Sequence, residues 1–370
     1  MKRVVVAWVA LCAAAFAQHA SLQERLEARL SELRAESKFP GISAGVVLAD
    51  GTRVVAASGL KTSDRMLAGS TGKTFVAAVI LQSVDEGQLD LDSKIERWLG
   101  KEDWFDKLPN AHELTLRLLM SHRSGIDDYV LDEDFVPAFS THIDRNWTAT
   151  ELVAKLFAKK ALSPVDTQFA YADANFVVAG LVFETVTGKK LFSEVERRIL
   201  QKFPLSQTVT SESRNTEGLV AGLMNPRMPF GLDGPTMKDG GLIVNAQVEY
   251  AGGGMISTPG DLARWAKLLW EGKAFSAKIL EQVLEAKSTG TGRGGGKDAS
   301  YGLAVQVQPS EFGVTYGHAG WFPGYQTEMV YFPDHKIAVA VQVNADPVRG
   351  TKRSPRGCLN EVMRVVLQEK

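Results

Sequence analysis

Ser70 and Lys73 in "MLAGSTGKTFVAAVIL" (66–81) are the residues best spaced to do chemistry. On a helix, residues i and i+3 share a face, so Lys73 Nζ can reach Ser70 Oγ. A serine at a helix N-terminus meets free backbone N–H groups and the positive end of the helix dipole, and both favour a developing negative charge. Burial on an apolar helix pushes the lysine ammonium toward the neutral amine, which can act as a base. The same stretch holds Gly72-Lys73-Thr74, the ending of a phosphate-binding loop. That loop needs a glycine where Leu67 stands, and a buried strand where the polar "GLKTSDRM" stands. The nucleotide reading fails on both counts.

Spacing alone is weak, because a chain of this length holds about one or two Ser-x-x-Lys by chance. Ser58-Gly59-Leu60-Lys61 is a second one, but it lies at a hairpin exit with a glycine inside it and no helix after it. What strengthens Ser70 is the company it keeps. "FAYADANF" places Tyr171 just before an apolar helix, and a phenol becomes a usable base where a cation such as Lys73 lowers its pKa. Asp173 can accept a hydrogen bond from Lys73 or hold a substrate amide. "YGHAGWFPGYQ" sets His318-Ala319-Gly320 directly before an expected strand. Gly320 allows a substrate close to that strand edge, and the Trp321 N–H can join the Ser70 N–H as an oxyanion hole.

These three elements, in this order, resemble the penicillin-recognising serine hydrolases: class C β-lactamases, D-alanyl-D-alanine carboxypeptidases, D-aminopeptidases and related carboxylesterases. "LTLRLLMSHRSGI" resembles the family's helix ending in His-x-Ser-Gly, and "YAGGGMISTPGDLARWAKLL" its glycine turn and following helix. "YGHAGWFPGYQTEMVYFPDHKIAVAVQVNAD" resembles its closing strands, so the likeness covers about 40 to 350. It implies Ser70 as acylated nucleophile, Lys73 and Tyr171 as the proton-transfer pair, and His318 on the third motif. Two departures stand out. The family's Tyr-x-Asn reads Tyr-Ala-Asp here, which adds a carboxylate beside Lys73 and favours Tyr171 as base; Asn175 is the alternative amide. The β-lactamases' Lys-Thr-Gly reads His-Ala-Gly, without the cation and hydroxyl that hold a substrate carboxylate. The resemblance therefore implies a carboxylesterase or D-amino-acid-directed peptidase ahead of a β-lactamase. A non-catalytic binder of cell-wall peptides is the rival from another class.

The elements that must position these residues are legible in outline. Leu22, Leu26, Leu30 and Leu33 mark an amphipathic helix over 21–37, ended by Lys38-Phe39-Pro40-Gly41. Ile42–Ala49 and Thr52–Ala57 read as strands joined by Asp50-Gly51. Helical patterns follow: one to Gly87, "HELTLRLLMSHRSGI", "TATELVAKLFAKKAL" with Thr148 and Glu151 as a capping box, and one to Gly188. A further helix starts with Thr258 as N-cap before Pro259. Strands return at Gly302–Val307, Thr327–Phe332 and Ile337–Asn344, before a helix over roughly 356–368. We expect an α+β fold: one antiparallel sheet built from both chain ends, flanked by the terminal helices, with an inserted mostly helical domain. The expected division is 18–88 with 245–370 around the sheet, and 89–244 as the insert. "STGTGRGGGKDAS" (288–300) reads as a flexible loop without the strand and helix of a phosphate cradle.

Composition limits the partners. Lys+Arg 42 against Asp+Glu 43 gives a net charge of -1, with no footprint for nucleic acid or an anionic membrane. The expected partner is a small ester, D-amino-acid peptide or β-lactam. Met1-Lys2-Arg3, the apolar run Val4–Phe16 and Ala15-Phe16-Ala17 read as a cleaved secretory signal (1–17), hence export to the periplasm or beyond, with no stable membrane insertion. Leu11 before Cys12 is a poor lipoprotein site, and cleavage leaves Cys358 alone, without a disulfide partner. His112, His142 and His335 show no metal spacing, and no cofactor is expected. His122 reads as a structural helix-end residue, and "IDDYVLDEDF" (126–135) as a solvated loop over the cleft. Trp321 and Phe322 read as lining an acyl pocket. No Gly-x-Ser-x-Gly elbow occurs.

Overall fold

In a computed structural model the described residues are 21–141, 145–212 and 217–368. The expected signal segment, Cys12 and His142 lie outside them. The chain opens with helix α1 (Leu22–Ser37), where Ser21 and Glu24 form a reciprocal capping box and all four expected leucines are buried. Strands β1 (Ile42–Val47) and β2 (Arg53–Ser58) form the expected hairpin, whose turn is held by Thr52 N–H donating to Asp50 Oδ1 at 2.8 Å. Helix α2 (Lys73–Asp85) is buried from Lys73 to Leu81, as an all-round apolar helix must be. Short helix α3 (Leu116–Met120) and helix α4 (Asp173–Thr187) follow in the middle of the chain. Helix α5 (Pro259–Trp270) starts on the Thr258 cap, and α6 (Pro355–Leu367) ends the fold.

The remaining strands are β3 (Lys287–Ser288), β4 (Ser300–Tyr301), β5 (Gln306–Ser310), β6 (Gly313–Phe322), β7 (Tyr325–Phe332) and β8 (Ile337–Val343). They join the early hairpin in one antiparallel sheet of order β3-β4-β5-β6-β7-β8-β1-β2. The two chain ends meet where β8 pairs with β1, Ile42 opposite Val343 and Val47 opposite Ala338. Every residue of β8 is buried, which is why "IAVAVQV" shows no polar alternation: the sheet is covered on both faces there. Helices α1 and α6 pack on one face through Leu26, Leu30, Leu359 and Val362. On the other face α5 joins α2 through Trp265, which stacks on Phe75 at 4.6 Å.

Three expectations need correction. The Gly302–Val307 strand is broken: Ala304 takes a positive φ of 57° and separates β4 from β5. The helix in "HELTLRLLMSHRSGI" spans only Leu116–Met120, because His122 adopts φ 55° and turns the chain away. His318-Ala319-Gly320 lies inside β6, not before a strand. The β7 ladder supplies the pairing that "GVTYGHAGWF", with three glycines, does not signal locally. Among the described residues no helix is long and apolar enough to cross a membrane.

Candidate active site

Ser70 sits in a 3₁₀ turn, Gly69–Gly72, that runs directly into α2. Thr71 Oγ1 ties the turn to Ala68 O at 2.8 Å, and Trp265 Nε1 holds Thr74 Oγ1 at 2.9 Å. The turn lies hard against the exposed edge of β6. A β-carbon on Gly320 would fall 2.0 Å from Ala68 O, and one on Gly69 would fall 2.6 Å from Trp321 N. Beyond Gly317 this edge of β6 has no partner strand. Ala319 N–H points to that side, donating to Gln306 Oε1 at 3.2 Å. Backbone direction alternates along a strand, so Trp321 N–H emerges on the same side, toward Ser70. The free N–H of Ser70 at the start of its turn completes a pair of donors for an oxyanion. Gly320→Ala is expected to push the turn and strand apart. A displacement of about 1 Å there costs about 100-fold in turnover. Steady-state kinetics on an activated ester would check it, and activity within threefold of wild type would remove the close contact from consideration.

Lys73 is 0% exposed and donates to three acceptors: Ser70 Oγ at 3.0 Å, Asp173 Oδ1 at 2.5 Å, and the Gly252 carbonyl. That uses all three N–H bonds of an ammonium. Gly252 O is presented by a contorted turn in which Tyr250 takes φ 40°. Tyr171 Oη is buried without a hydrogen-bond partner, and Lys73 Nζ lies 5.0 Å from the ring centre. The expectation that Lys73 lowers the Tyr171 pKa is reversed. Burial, reinforced by the negative charge of Asp173, holds the phenol well above its ordinary value, and the Ser70 hydroxyl offsets this only in part. The physical reason is that the phenol is taken out of water beside a carboxylate, and both disfavour the phenolate.

His318 does not face the cleft. Its Nδ1–H donates to Ala319 O at 2.6 Å, its Nε2 accepts from Tyr301 Oη at 2.8 Å, and burial drives its pKa down to about 3. It is a neutral packing residue behind Tyr171, 6.2 Å between ring centres. His122 is buried, accepts Ala172 N–H on Nδ1 at 3.3 Å and lies against the Tyr171 ring at 4.1 Å, a structural role as expected. Asn175 is fully buried between His122 and Ser124, so Asp173, not Asn175, faces Lys73.

The turn opens into a cleft of about 530 Å³. One wall is aromatic: Phe139 packs on Phe230 at 4.7 Å, and Phe230 stacks on Trp321 at 5.9 Å. Trp321 is steadied by donating Nε1–H to Asp346 Oδ1 at 2.7 Å, and Phe322 also lines the cleft. Four carboxyl groups also line the cleft: Asp128, Asp173, Glu249 and Glu328. Burial raises Asp128 to about 7 and Glu249 to about 8, and the charge of Asp173 adds to both. Among the described residues, no group of three His, Cys, Asp or Glu side chains is placed to hold a metal ion.

Residues 26–356 match the family described as Beta-lactamase. The chain belongs to the beta-lactamase family. Members of this family are serine hydrolases, and this beta-lactamase-family chain shares its mixed fold with solved relatives. A D-stereospecific amidohydrolase from Streptomyces sp. is 27% identical, with a TM-score of 0.77 over 88% of this chain and 94% of that one. D-amino acid amidase from Ochrobactrum anthropi SV3, complexed with D-phenylalanine, has a TM-score of 0.79 at 21% identity over 95% of this chain and 100% of its own. An unguisins hydrolase of Aspergillus campestris is 25% identical over 75% of this chain and 52% of its own length. Penicillin-binding protein 4 of Amycolatopsis lactamdurans is 28% identical over 52% and 49%. The beta-lactamase-family chain thus spans about half the length of these two curated relatives.

Several site residues of this beta-lactamase-family chain carry no sequence signal. The run 126–135 is not simply a solvated loop: Tyr129 and Phe135 are buried, and Asp128 is buried at the start of α4. Asp128 accepts Asp173 N–H at 3.0 Å and Ala174 N–H at 3.4 Å, so it caps a helix forty-five residues away. Capping motifs are recognisable when local, and this cap is not. Glu249 and Gly252 O likewise reach Lys73's surroundings only through the fold.

Proposed function

We propose that this protein is an exported serine hydrolase that cleaves an ester or amide through an acyl-enzyme on Ser70. The observation that carries the reading is the 3.0 Å contact from buried Lys73 Nζ to Ser70 Oγ, beneath the two backbone donors of Ser70 and Trp321. In acylation Ser70 passes its proton to Lys73 as Lys73 hands one to Asp173, and Oγ attacks the carbonyl. The neutral phenol of Tyr171 protonates the departing alcohol or amine. In deacylation the Tyr171 phenolate takes a proton from the attacking water. Ser70 then recovers its proton from Lys73, and Lys73 from Asp173.

The cleft wall favours an ester or an amine-bearing, D-amino-acid-type amide over a β-lactam. No Lys, Arg or His lines it among the described residues, whereas four carboxyl groups do, so a substrate carboxylate finds no cation there. The structural relatives named for D-amino acid amidase and D-stereospecific amidohydrolase support the same choice. Intact-mass spectrometry after a fluorophosphonate is expected to show one adduct, mapping to Ser70. Turnover is expected to rank p-nitrophenyl esters and D-amino acid amides above nitrocefin. No adduct on Ser70 with fluorophosphonate, activated ester or penicillin would sink the enzyme reading and leave a binding protein.

A further inference from the structure

The glycine-rich stretch 288–300 is not a free connector. It is the loop between β3 and β4, closed on itself by Thr289, whose N–H donates to Ala299 O at 3.0 Å and whose Oγ1 accepts Gly296 N–H at 3.0 Å. Its tip is docked on the backbone of Tyr171. Tyr171 N–H donates to Arg293 O at 2.9 Å, and Arg293 Nε–H returns to Tyr171 O at 3.1 Å. Gly294 lies so near that a β-carbon there would fall 2.7 Å from Tyr171 Cβ. Arg293 Nη1 then reaches Asp127 Oδ1 at 2.6 Å. Asp127 is bonded in sequence to Asp128, which caps the helix carrying Asp173. One guanidinium therefore joins the chain segments that aim both Tyr171 and Asp173.

This matters because Tyr171 has little else to aim it. Apart from the neighbouring Ser70 hydroxyl, the phenol is placed by its backbone and by packing on His122. A two-pronged grip on a peptide carbonyl and a carboxylate suits the planar fork of arginine and is not reproduced by lysine. We propose that Arg293 is a positioning residue for proton transfer, acting through Tyr171, and that the 288–300 loop is the strap that delivers it. The inference rests on the hydrolase reading with Tyr171 as proton donor.

The test is a double-mutant cycle on a p-nitrophenyl ester, with Ser70 titrated by fluorophosphonate and folding followed by thermal melting. Arg293→Ala is expected to lower kcat by about 10- to 100-fold with KM within about twofold. Asp127 keeps Lys159, at 3.4 Å, so the fold is expected to survive; Arg293→Gln carries the same comparison if it does not. Arg293→Lys is expected to recover part of the loss. In a Tyr171→Phe background, Arg293→Ala is expected to add nearly nothing. If its loss instead multiplies in that background, or falls on KM alone in an active and labelled enzyme, this inference is overturned by itself. A wild-type chain that neither labels nor turns over overturns the hydrolase reading and this inference together.

Discussion

Ser70→Ala is expected to lower ester turnover by at least about 1,000-fold and to abolish fluorophosphonate labelling, because the covalent step has no other nucleophile. The residual rate comes from the oxyanion donors and from binding, which the variant keeps. The fold should hardly notice. Ser70 gives the core one hydrogen bond, accepted from Lys73, and Lys73 retains Asp173 and Gly252 O. The melting temperature should therefore move by only a few degrees, while kcat collapses. Kinetics and melting on the same sample decide the matter. Retained turnover in a correctly folded Ser70→Ala protein would place the nucleophile elsewhere.

Lys73→Met is expected to damage both activity and stability, and the two losses can be separated. Without the ammonium, Ser70 loses its proton acceptor, at a cost of about 1,000- to 10,000-fold in kcat. Asp173 is then left beside Asp128 and Glu249 with no cation between them. Removing one partner of a buried pair costs about 3–5 kcal/mol, and the lower end applies because the Asp173 side chain is 22% exposed. Adding Asp173→Asn removes the stranded charge, so the double variant should regain most of the stability and none of the activity. Denaturant melts and ester kinetics on the single and double variants check this. A double variant no more stable than Lys73→Met would mean that the ion pair contributes nothing to the fold.

Local periodicity determined part of this protein from the sequence by itself. Helical spacing puts Lys73 over Ser70, Asp50-Gly51 makes the first hairpin, Thr148 and Thr258 cap their helices, and the apolar run 337–341 marks β8 as a strand. Each rests on a geometry that repeats within about four residues, so neighbours in sequence suffice. Only the tertiary structure decided the rest. It brought Asp173 and Gly252 O to Lys73 and turned His318 inward onto Tyr301. It also set Asp128 under α4 and docked Arg293 on Tyr171. These partners come from segments far apart in the chain, joined by packing against the sheet. Burial at this junction, reinforced by the charge of Asp173, keeps Tyr171 a neutral phenol, and the acceptors that surround Lys73 Nζ come from Ser70, Asp173 and Gly252 together.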